Sequence, residues 1–541
     1  MTPEESPKKE RYILIYQDDF LGGYMSVSVA PDGTVFSFPT PEEDKDEFDK
    51  LKKLSEDERK KGRKIVVVQG MGFVGSVMAA VVADAEDENG NPLYFVHGND
   101  LVSRRSFWKI PVINSGKPPV SADDPEIPKI FPRCVNEKKT LRATWHPGVF
   151  AFADIVVVDI QLDAQKPVLG QAEEGYCDLS AFKQGMRTIG KSIKPECLVL
   201  IETTVPPGTS EKIVKPVLEE EFTKRGIDID KYPPMIAHSY ERVMPGSKYV
   251  SSIRDYWRTF SGINEKAADL AEKFLTNVLN TENFPICRLA HTNASEMAKV
   301  LENSCRAANI ALMFEWAKFA ENIGVNLFDV IKSIKVRKGT HDNMLRPSLG
   351  VGGYCLTKDP VLANWAAEAL FGLEDKLPMA VSAVNINDLM PIHTLEIIED
   401  VCPSLQDRRI AILGVSYLQN VADTRHSPTK LLWENLMEKD AVISVHDPLV
   451  EVWPELGDIR IEKNLNKTLY DAEIVVFAVG HKAYKALAPE EVVEMCGRKP
   501  LIVDCSNFLT DEKIMKYLEL GCNVIGVGKG HITQLKKNLK K

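Results

Sequence analysis

The stretch Lys64-Ile-Val-Val-Val-Gln-Gly70-Met-Gly72-Phe73-Val74-Gly75 decides the fold of this chain. It begins with a β-branched run, continues with glycines spaced GxGxxG, and opens a helical pattern over residues 75–85. In such a turn the first glycine permits the tight bend, the second lets the backbone approach a pyrophosphate, and the third lets helix and strand pack closely. The pyrophosphate would lie at the helix N-terminus, and Phe73 and Val74 of the motif are candidate cofactor contacts. The stretch therefore predicts a dinucleotide site.

The next strand predicts which dinucleotide binds. It ends at Asp100, and a carboxylate there would accept the hydroxyls of an adenosine ribose and repel a 2′-phosphate, which favours NAD over NADP. The spacing from Gly75 to Asp100 is longer than the usual ~20 residues from the motif, and a loop insertion at residues 86–92 accounts for the excess. Arg104, shortly after Asp100, is a further candidate cofactor contact. Two alternatives remain: a glycine-rich turn of another α/β domain, and an Asp100 that is a plain surface carboxylate.

Buried strands alternate with amphipathic helices in two separate sets. Such alternation is typical of α/β domains with a doubly wound parallel sheet. The predicted helices of the first set are 75–85, 180–194 and 210–225. The predicted strands are 64–69, 93–97, 154–159, 197–202 and 235–238 in the first set, and 409–414, 441–446, 473–478, 500–504 and 522–526 in the second. The fold class is α/β, with two Rossmann-like domains.

A long helical pattern over about residues 290–335 separates these two sets. It predicts a central helix that joins the two domains and is a natural dimer seam. We expect four parts: an N-terminal extension (1–63) with short strands at 11–16 and 25–30 and a charged, helical or loose linker; a dinucleotide-binding domain (64–288); a central helical domain (289–400); and a second Rossmann-like domain (401–541). The sequence assigns no chemistry to the extension.

Composition excludes several functions. The 541 residues include 67 Lys and Arg against 77 Asp and Glu, a net charge of -10 with no long basic stripe, which disfavours nucleic acid and anionic membranes as partners. No apolar run reaches the ~20 residues of a membrane helix. The ten cysteines contain no CxxC pair and the ten histidines no HxxxH or HxH spacing, so we place no metal. A reduced cytoplasmic location fits best.

One cysteine has the setting of a nucleophile. Gly350-Val-Gly352-Gly353-Tyr-Cys355-Leu-Thr-Lys358-Asp359-Pro360 places a thiol after a flexible, amide-rich turn and before a helix start, and both features favour the thiolate. A small buried residue is the alternative for Cys355, and an ordinary helix start is the alternative for Asp359-Pro360.

The long helix carries Glu296, Lys299, Asn303 and Arg306 at i, i+3, i+7 and i+10, so these side chains share one face. A solvated polar face is one interpretation. The other places Lys299 and Asn303 in the same pocket as Cys355.

Together these segments resemble the nucleotide-sugar 6-dehydrogenases, the family of UDP-glucose, UDP-N-acetylhexosamine and GDP-mannose dehydrogenases. The resemblance covers about residues 64–530. The matching segments are the two glycine motifs above, Glu296 to Asn303, Thr203-Thr204-Val-Pro-Pro-Gly-Thr209, Glu241-Arg242-Val-Met-Pro-Gly246, and Gly414 to Pro428 followed by Val445-His-Asp447-Pro448.

The resemblance implies two successive NAD-dependent oxidations at the sugar C6, from alcohol to aldehyde to acid. In that reaction Cys355 forms a thiohemiacetal and then a thioester, Lys299 and Asn303 stabilise the oxyanion, and Asp359 holds water or assists proton transfer. Glu241 is the general base for thioester hydrolysis, and Thr204 positions water and nicotinamide.

The resemblance also implies binding contacts. It places Lys358 and Arg425 at the cofactor phosphates, and Glu241, Arg242, Lys299, Asn303, Gly352 and Gly353 at the substrate. The alternatives are that Thr203 and Thr204 form only a strand end and turn, and that Glu241 is a surface partner of Arg242.

Several positions depart from the family pattern. Asp159-Ile-Gln-Leu-Asp163 stands where the family has Pro-Thr-Pro, Leu418 replaces a lysine, and Asp504-Cys-Ser-Asn507 replaces an Asp-Gly-Arg type motif. His238-Ser-Tyr240 replaces the usual Ser-Pro before the glutamate.

The motifs at Glu241–Gly246 and Gly350–Leu356 resemble the N-acetylhexosamine branch of the family more than the UDP-glucose branch. Two other functions remain open: a two-electron β-hydroxyacid-type dehydrogenase, and a nucleotide-sugar-binding regulator without turnover.

Overall fold

The computed structural model describes residues 27–539 apart from Ser121, Pro245 and Asp458. The strand predicted at 11–16 and the first residues of the strand predicted at 25–30 lie outside the described residues. The described part of the extension is an antiparallel hairpin of β1 (Val27–Val29) and β2 (Val35–Ser37), followed by helix α1 (Pro41–Lys60). The predicted charged linker is therefore helical. Thr40 and Glu43 begin it with reciprocal side-chain-to-backbone hydrogen bonds.

The first α/β domain is built on an eight-stranded sheet. The sheet strands in chain order are β3 (Lys64–Gln69), β4 (Tyr94–Asn99), β5 (Leu141–Thr144), β6 (Ile155–Val158), β9 (Leu198–Ile201), β10 (Met235–His238), β11 (Thr259–Gly262) and β12 (Cys287–Arg288), while β7 (Ala164–Gln165) and β8 (Tyr176–Cys177) form a separate hairpin. The spatial order is β12-β11-β10-β9-β6-β3-β4-β5, and all neighbours are parallel except β10 and β11. The helices are α2 (Phe73–Asp84), α3 (Lys109–Asn114), α4 (Ile127–Pro132), α5 (Ser180–Gly190), α6 (Lys215–Lys224), α7 (Tyr249–Arg254) and α8 (Glu265–Val278).

The second α/β domain has a five-stranded parallel sheet in the order β14-β13-β17-β18-β19. The strands are β13 (Arg409–Leu413), β14 (Val442–His446), β17 (Ile474–Phe477), β18 (Leu501–Asp504) and β19 (Asn523–Gly526), with a small hairpin of β15 (Val452–Trp453) and β16 (Ile459–Arg460). The helices are α13 (Pro428–Glu438), α14 (Leu465–Leu469), α15 (Lys482–Ala486), α16 (Pro489–Cys496), α17 (Asp511–Glu519) and α18 (Ile532–Leu539).

Four helices join the two domains: α9 (Thr292–Ile323), α10 (Leu327–Ile334), α11 (Asp359–Ala369) and α12 (Pro378–Glu399). The single helix predicted over 290–335 is in fact two helices. Gly324 ends α9 with a φ of 75°, in the left-handed region where glycine has no steric penalty. The remaining prediction, two doubly wound domains joined by a long helix, is confirmed.

The ten predicted strands agree with the structure to within two residues at each end, because their β-branched side chains pack against helices on both faces. Most of their residues are fully buried. In the described part of the chain, no helix combines the length and apolar character that a membrane crossing requires.

Candidate active site

The glycine turn after β3 has the geometry that a dinucleotide needs. Gly70 has a φ of 96°, and a Cβ there would lie 2.6 Å from the carbonyl oxygen of Asp159. A Cβ on Gly75 would lie 2.0 Å from the carbonyl oxygen of Gly70, so only glycine fits either position. Around Gly72, the N-cap of α2, no atom lies within 4 Å of a Cβ position. This open space at a helix N-terminus fits a pyrophosphate.

The residues around this turn are fixed by aromatic and polar contacts. The Phe73 ring stacks on Tyr249 with centroids 4.5 Å apart, and the Tyr249 hydroxyl donates to the Phe73 carbonyl. Val74 is half-buried beside it. Asp100 Oδ2 accepts from the backbone N–H of Met71 at 3.2 Å and lies 3.1 Å from Lys109 Nζ. Asp100 therefore faces the glycine turn and is not a plain surface carboxylate.

A buried ammonium group marks the other end of the cleft. Lys299 of α9 is 7% exposed, and its Nζ donates to the Glu241 carbonyl at 3.0 Å and lies 3.8 Å from Glu241 Oε1. Burial opposes the charged form, but the carboxylates of Glu241 and Asp359 outweigh it and raise the pKa of Lys299 above its ordinary value.

The partner of Arg242 and the burial of the polar face of α9 decide between the alternative interpretations of these residues. Arg242 pairs with Glu302 at 3.0 Å and not with Glu241, so the alternative of a Glu241–Arg242 surface pair is wrong. On α9, Glu296, Lys299 and Asn303 are buried whereas Arg306 is exposed. The solvated-face interpretation therefore holds only for Arg306.

Asp359 is fully buried between two donors. Asn303 Nδ2 donates to its Oδ2 at 2.6 Å, and Lys358 Nζ lies 3.0 Å from its Oδ1. The Lys358 ammonium also lies 4.9 Å from the centroid of the Tyr354 ring. In this structure Lys358, which the resemblance places at the cofactor phosphates, neutralises Asp359.

Cys355 lies within this group of charges. Burial and the Asp359 carboxylate raise the pKa of its thiol above the ordinary value, although Lys299 and Lys358 act in the opposite direction. The sequence predicts a stabilised thiolate, and the structure differs because the Cys355 carbonyl, rather than its sulfur, accepts the first amides of α11. Attack by this sulfur therefore requires a base to take its proton.

The loop that carries Thr204 is held by a carboxyl group that the sequence interpretation left without a role. Glu296 accepts from the backbone N–H groups of Gly208 at 2.7 Å and Ser210 at 2.8 Å. Burial raises the pKa of Glu296 to about 7. Thr203 donates to the Ile160 carbonyl at 2.9 Å, so this threonine joins two loops, while Thr204 remains partly exposed.

The second α/β domain closes the cleft. The Arg425 guanidinium pairs with Asp423 at 2.6 Å and lies 5.5 Å from the Phe73 ring centroid and 5.7 Å from that of Tyr354. It thus lies between the glycine turn and the cysteine loop, as a contact to a cofactor phosphate requires.

The glycines before Cys355 serve close packing between domains. A Cβ on Gly352 would lie 2.7 Å from the His426 carbonyl oxygen, and one on Gly353 would lie 2.7 Å from the Tyr417 ring. Because these two glycines have no side chain, the substrate contact that the resemblance implies would be made by their backbone atoms.

The sequence interpretation missed a second buried polar group beside the glycine turn. Glu202 pairs with the buried Arg258, and Asp159 lies beside Glu202. Burial and the charge of Glu202 raise the pKa of Asp159 well above its ordinary value. The available signal was Asp159 itself, a carboxylate directly after a buried strand. Among the described residues, no group of three or more His, Cys, Asp and Glu side chains could hold a metal ion.

The fold and site define a dinucleotide-dependent dehydrogenase of two α/β domains with a cysteine in the cleft between them. Models of the UDP-glucose/GDP-mannose dehydrogenase family match the chain in three parts: the NAD binding domain at residues 63–276, the central domain at 293–388 and the UDP binding domain at 411–511. The chain belongs to this family of NAD-dependent nucleotide-sugar dehydrogenases.

Relatives and solved structures agree with this assignment. The chain is 28% identical to a UDP-N-acetyl-D-mannosamine dehydrogenase of Methanococcus vannielii over 84% of this chain and 95% of the relative. It is 29% identical to the enzyme of that name from Pyrococcus horikoshii, over 86% and 100%. The crystal structure of an NDP-N-acetyl-D-galactosaminuronic acid dehydrogenase from Methanosarcina mazei superposes with a TM-score of 0.73 at 28% identity, over 89% and 98% of the two chains.

The pKa of Glu296 predicts a pH-dependent stability. Because the folded pKa of about 7 exceeds the ordinary 4.5, this carboxyl favours folding while protonated, and its contribution is lost as the pH rises through 7. We expect the free energy of unfolding to fall by up to about 3 kcal/mol from this group between pH 4.5 and 8. In Glu296→Gln this part of the slope should disappear, as denaturant unfolding at several pH values would show.

The matched control is Glu315→Gln, which removes an exposed carboxyl from the same helix and should leave the slope unchanged. A Glu296→Gln variant with the slope of the wild type would contradict the role given to burial.

Proposed function

We propose that this protein oxidises the C6 alcohol of a UDP-N-acetylhexosamine to the carboxylate, transferring four electrons to two molecules of NAD. The relatives named UDP-N-acetyl-D-mannosamine dehydrogenases support the choice of sugar class. A UDP-binding domain match over residues 411–511 supports the nucleotide. UDP-glucose is the second candidate substrate.

One observation carries the four-electron part of the proposal. Residues from three separate segments converge at Cys355: Lys299 and Asn303 from α9, Glu241 from the loop after β10, and Asp359 at the start of α11. A two-electron dehydrogenase needs a cation and a base but has no use for a thiol among them.

The residues have these proposed roles. The Cys355 thiol passes its proton to a neighbouring carboxylate as the sulfur adds to the C6 aldehyde, and this proton is then returned to the former aldehyde oxygen, so that a neutral thiohemiacetal forms. Oxidation of the thiohemiacetal gives a thioester, which water cleaves with Glu241 as general base. The Lys299 ammonium and Asn303 amide stabilise the oxygen that becomes negative in both steps. Asp359 holds the water that attacks the thioester or assists proton transfer, and Thr204 positions this water and the nicotinamide.

The chain's own residues fit the cofactor. Gly70, Gly72 and Gly75 with Phe73 and Val74 would hold the pyrophosphate, while Asp100 and Arg104 would contact the adenosine ribose. Lys358 and Arg425 would supply positive charge. When bound, NAD accepts a hydride in each oxidation. Arg242, Gly352 and Gly353 would contact the sugar nucleotide.

The stoichiometry of NADH tests the proposal. Wild-type protein with limiting UDP-N-acetylmannosamine should form two NADH per sugar, because the aldehyde stays bound to Cys355. In Cys355→Ser, uronate formation should fall by about a thousandfold or more, since the nucleophile is lost. Absorbance at the NADH band measures the NADH formed per sugar. A carbonyl-trapping reagent detects any aldehyde that is released in place of uronate.

Cys287→Ser is the matched control, because Cys287 is an exposed thiol on β12, the edge strand of the first sheet. It should keep wild-type turnover. Full turnover in Cys355→Ser would instead favour the β-hydroxyacid-type reaction, and NAD binding without any NADH across a panel of nucleotide sugars would favour a regulator.

We further propose that the protein is a homodimer assembled along α9. The outer face of this helix carries an exposed apolar stripe at spacings of three or four residues, or sums of these: Met297, Leu301, Leu312, Trp316, Phe319 and Ile323. The helix of 32 residues is ~48 Å long. Because an identical stripe on a second copy is complementary about a two-fold axis, a second copy of this chain is the occupant that covers it.

We also propose a cytoplasmic location, because all ten cysteines are free thiols, as in a reducing compartment.

A carboxylate in the stripe should separate the dimer. Leu312→Glu should give a monomer at micromolar concentration, because two facing charges would be buried in an apolar seam. Light scattering after size-exclusion chromatography measures the mass. Lys318→Glu introduces the same group at an exposed position of α9 outside the stripe and should remain dimeric. A wild-type monomer, or a dimeric Leu312→Glu variant, would contradict the seam.

A further inference from the structure

The N-terminal hairpin packs on the loop that follows Asp100, here called the adenosine loop (residues 100–109). Ser28, in the middle of β1, is fully buried. Its hydroxyl donates to the Arg104 carbonyl at 2.7 Å and accepts from the Trp108 backbone N–H at 3.1 Å. One side chain of the extension thus holds two backbone groups of the adenosine loop.

An aromatic contact reinforces this pair of hydrogen bonds. The Phe38 ring, just after β2, meets the Phe107 ring edge to face with centroids 5.7 Å apart. Phe107 is 6% exposed and in turn meets Trp145 at 5.8 Å. The hairpin therefore contacts the loop through both a buried hydroxyl and an aromatic ring.

The adenosine loop also has internal contacts: the Ser103 carbonyl accepts from the backbone N–H groups of Ser106 and Phe107, and the Trp108 indole N–H donates to the Arg105 carbonyl. Asp100 at its start contacts the Met71 backbone N–H and the Lys109 ammonium at its end. Within the loop, Ser106 donates to the Leu101 carbonyl at 2.8 Å. Arg104 itself is exposed, and its carbonyl accepts from the Ser28 hydroxyl. The hairpin therefore adds a hydrogen bond that fixes the backbone at Arg104.

We infer that the N-terminal hairpin is a positioning element for the adenosine half of the cofactor, acting through Ser28. A binding loop that adopts its competent conformation only part of the time binds more weakly in proportion to that fraction. By satisfying two backbone groups at once, Ser28 keeps Asp100 and Arg104 in the orientation that meets the ribose. The inference rests on the proposed contact of Asp100 with the adenosine ribose.

Direct binding of ADP-ribose, which lacks the nicotinamide, tests the inference in the full-length protein. In Ser28→Ala the dissociation constant, measured by calorimetry, should rise about three- to tenfold, as expected for losing one or two hydrogen bonds. The KM for NAD should rise by the same factor. The kcat at saturating NAD and the KM for the nucleotide sugar should stay unchanged.

Ser55→Ala is the matched control. Ser55 is a buried serine of the same extension, 1% exposed, but its hydroxyl bonds His97 inside the domain at 3.0 Å and does not touch the loop. Both variants should lower the unfolding temperature, whereas only Ser28→Ala should weaken the binding of ADP-ribose. An unchanged dissociation constant in Ser28→Ala, or an equal rise in both variants, would overturn the inference.

Two further variants keep the outcomes distinct. If Ser28→Ala does not fold, Phe38→Leu loosens the same hairpin and should raise the dissociation constant by a smaller factor, and no rise would count against the inference. Asp100→Ala tests the placement of adenosine: if it leaves ADP-ribose binding intact, both that placement and the inference fail. If it weakens binding while Ser28→Ala does not, only the inference fails.

Discussion

The ammonium group of Lys299 is the constraint on which the catalytic cleft depends. A charge removed from water is tolerated only where opposite charges and hydrogen bonds surround it. The backbone carbonyl of Glu241, its carboxylate and the nearby Asp359 supply that environment. The loop after β10, the start of α11 and the inner face of α9 must therefore meet at one point. Once they meet, a thiol placed there faces both cation and base.

The second domain contributes more to this cleft than a surface for a nucleotide. Arg425 lies over the rings of Phe73 and Tyr354, so one guanidinium links the glycine turn to the loop that carries Cys355. The Tyr354 hydroxyl donates to the Leu162 carbonyl at 2.9 Å, which ties the same loop back to the first domain. Leu162 belongs to the segment that replaces the family's Pro-Thr-Pro. A hydrogen bond from Tyr354 thus fixes this segment in a chain that lacks its prolines.

Local patterns allowed much of the fold to be predicted, because a strand buried on both faces is a short, nearly continuous apolar run. They failed where the decisive contacts are distant in sequence. Helix α12 contains Pro391 and was not predicted, and β5 is short and follows a long insertion. In the site, spacing identified Cys355, but the raised pKa of its thiol depends on burial and on the charges of Asp359 and Glu241, which the local pattern does not show. The contact of Ser28 with Arg104 spans 76 residues and leaves no periodic signal.

Helix α9 can carry both the buried Lys299 and an apolar outer stripe because contacts along its length hold its inner face. Near its start, Glu296 and Lys299 bind the loops of the first domain. Farther along, Asn387 of α12 donates to the Ala307 carbonyl at 3.0 Å, and His393 pairs with Glu321 at 2.7 Å. Its position within the chain therefore needs nothing from the outer face. Large apolar side chains on a face that the fold does not require support the proposed dimer seam along α9.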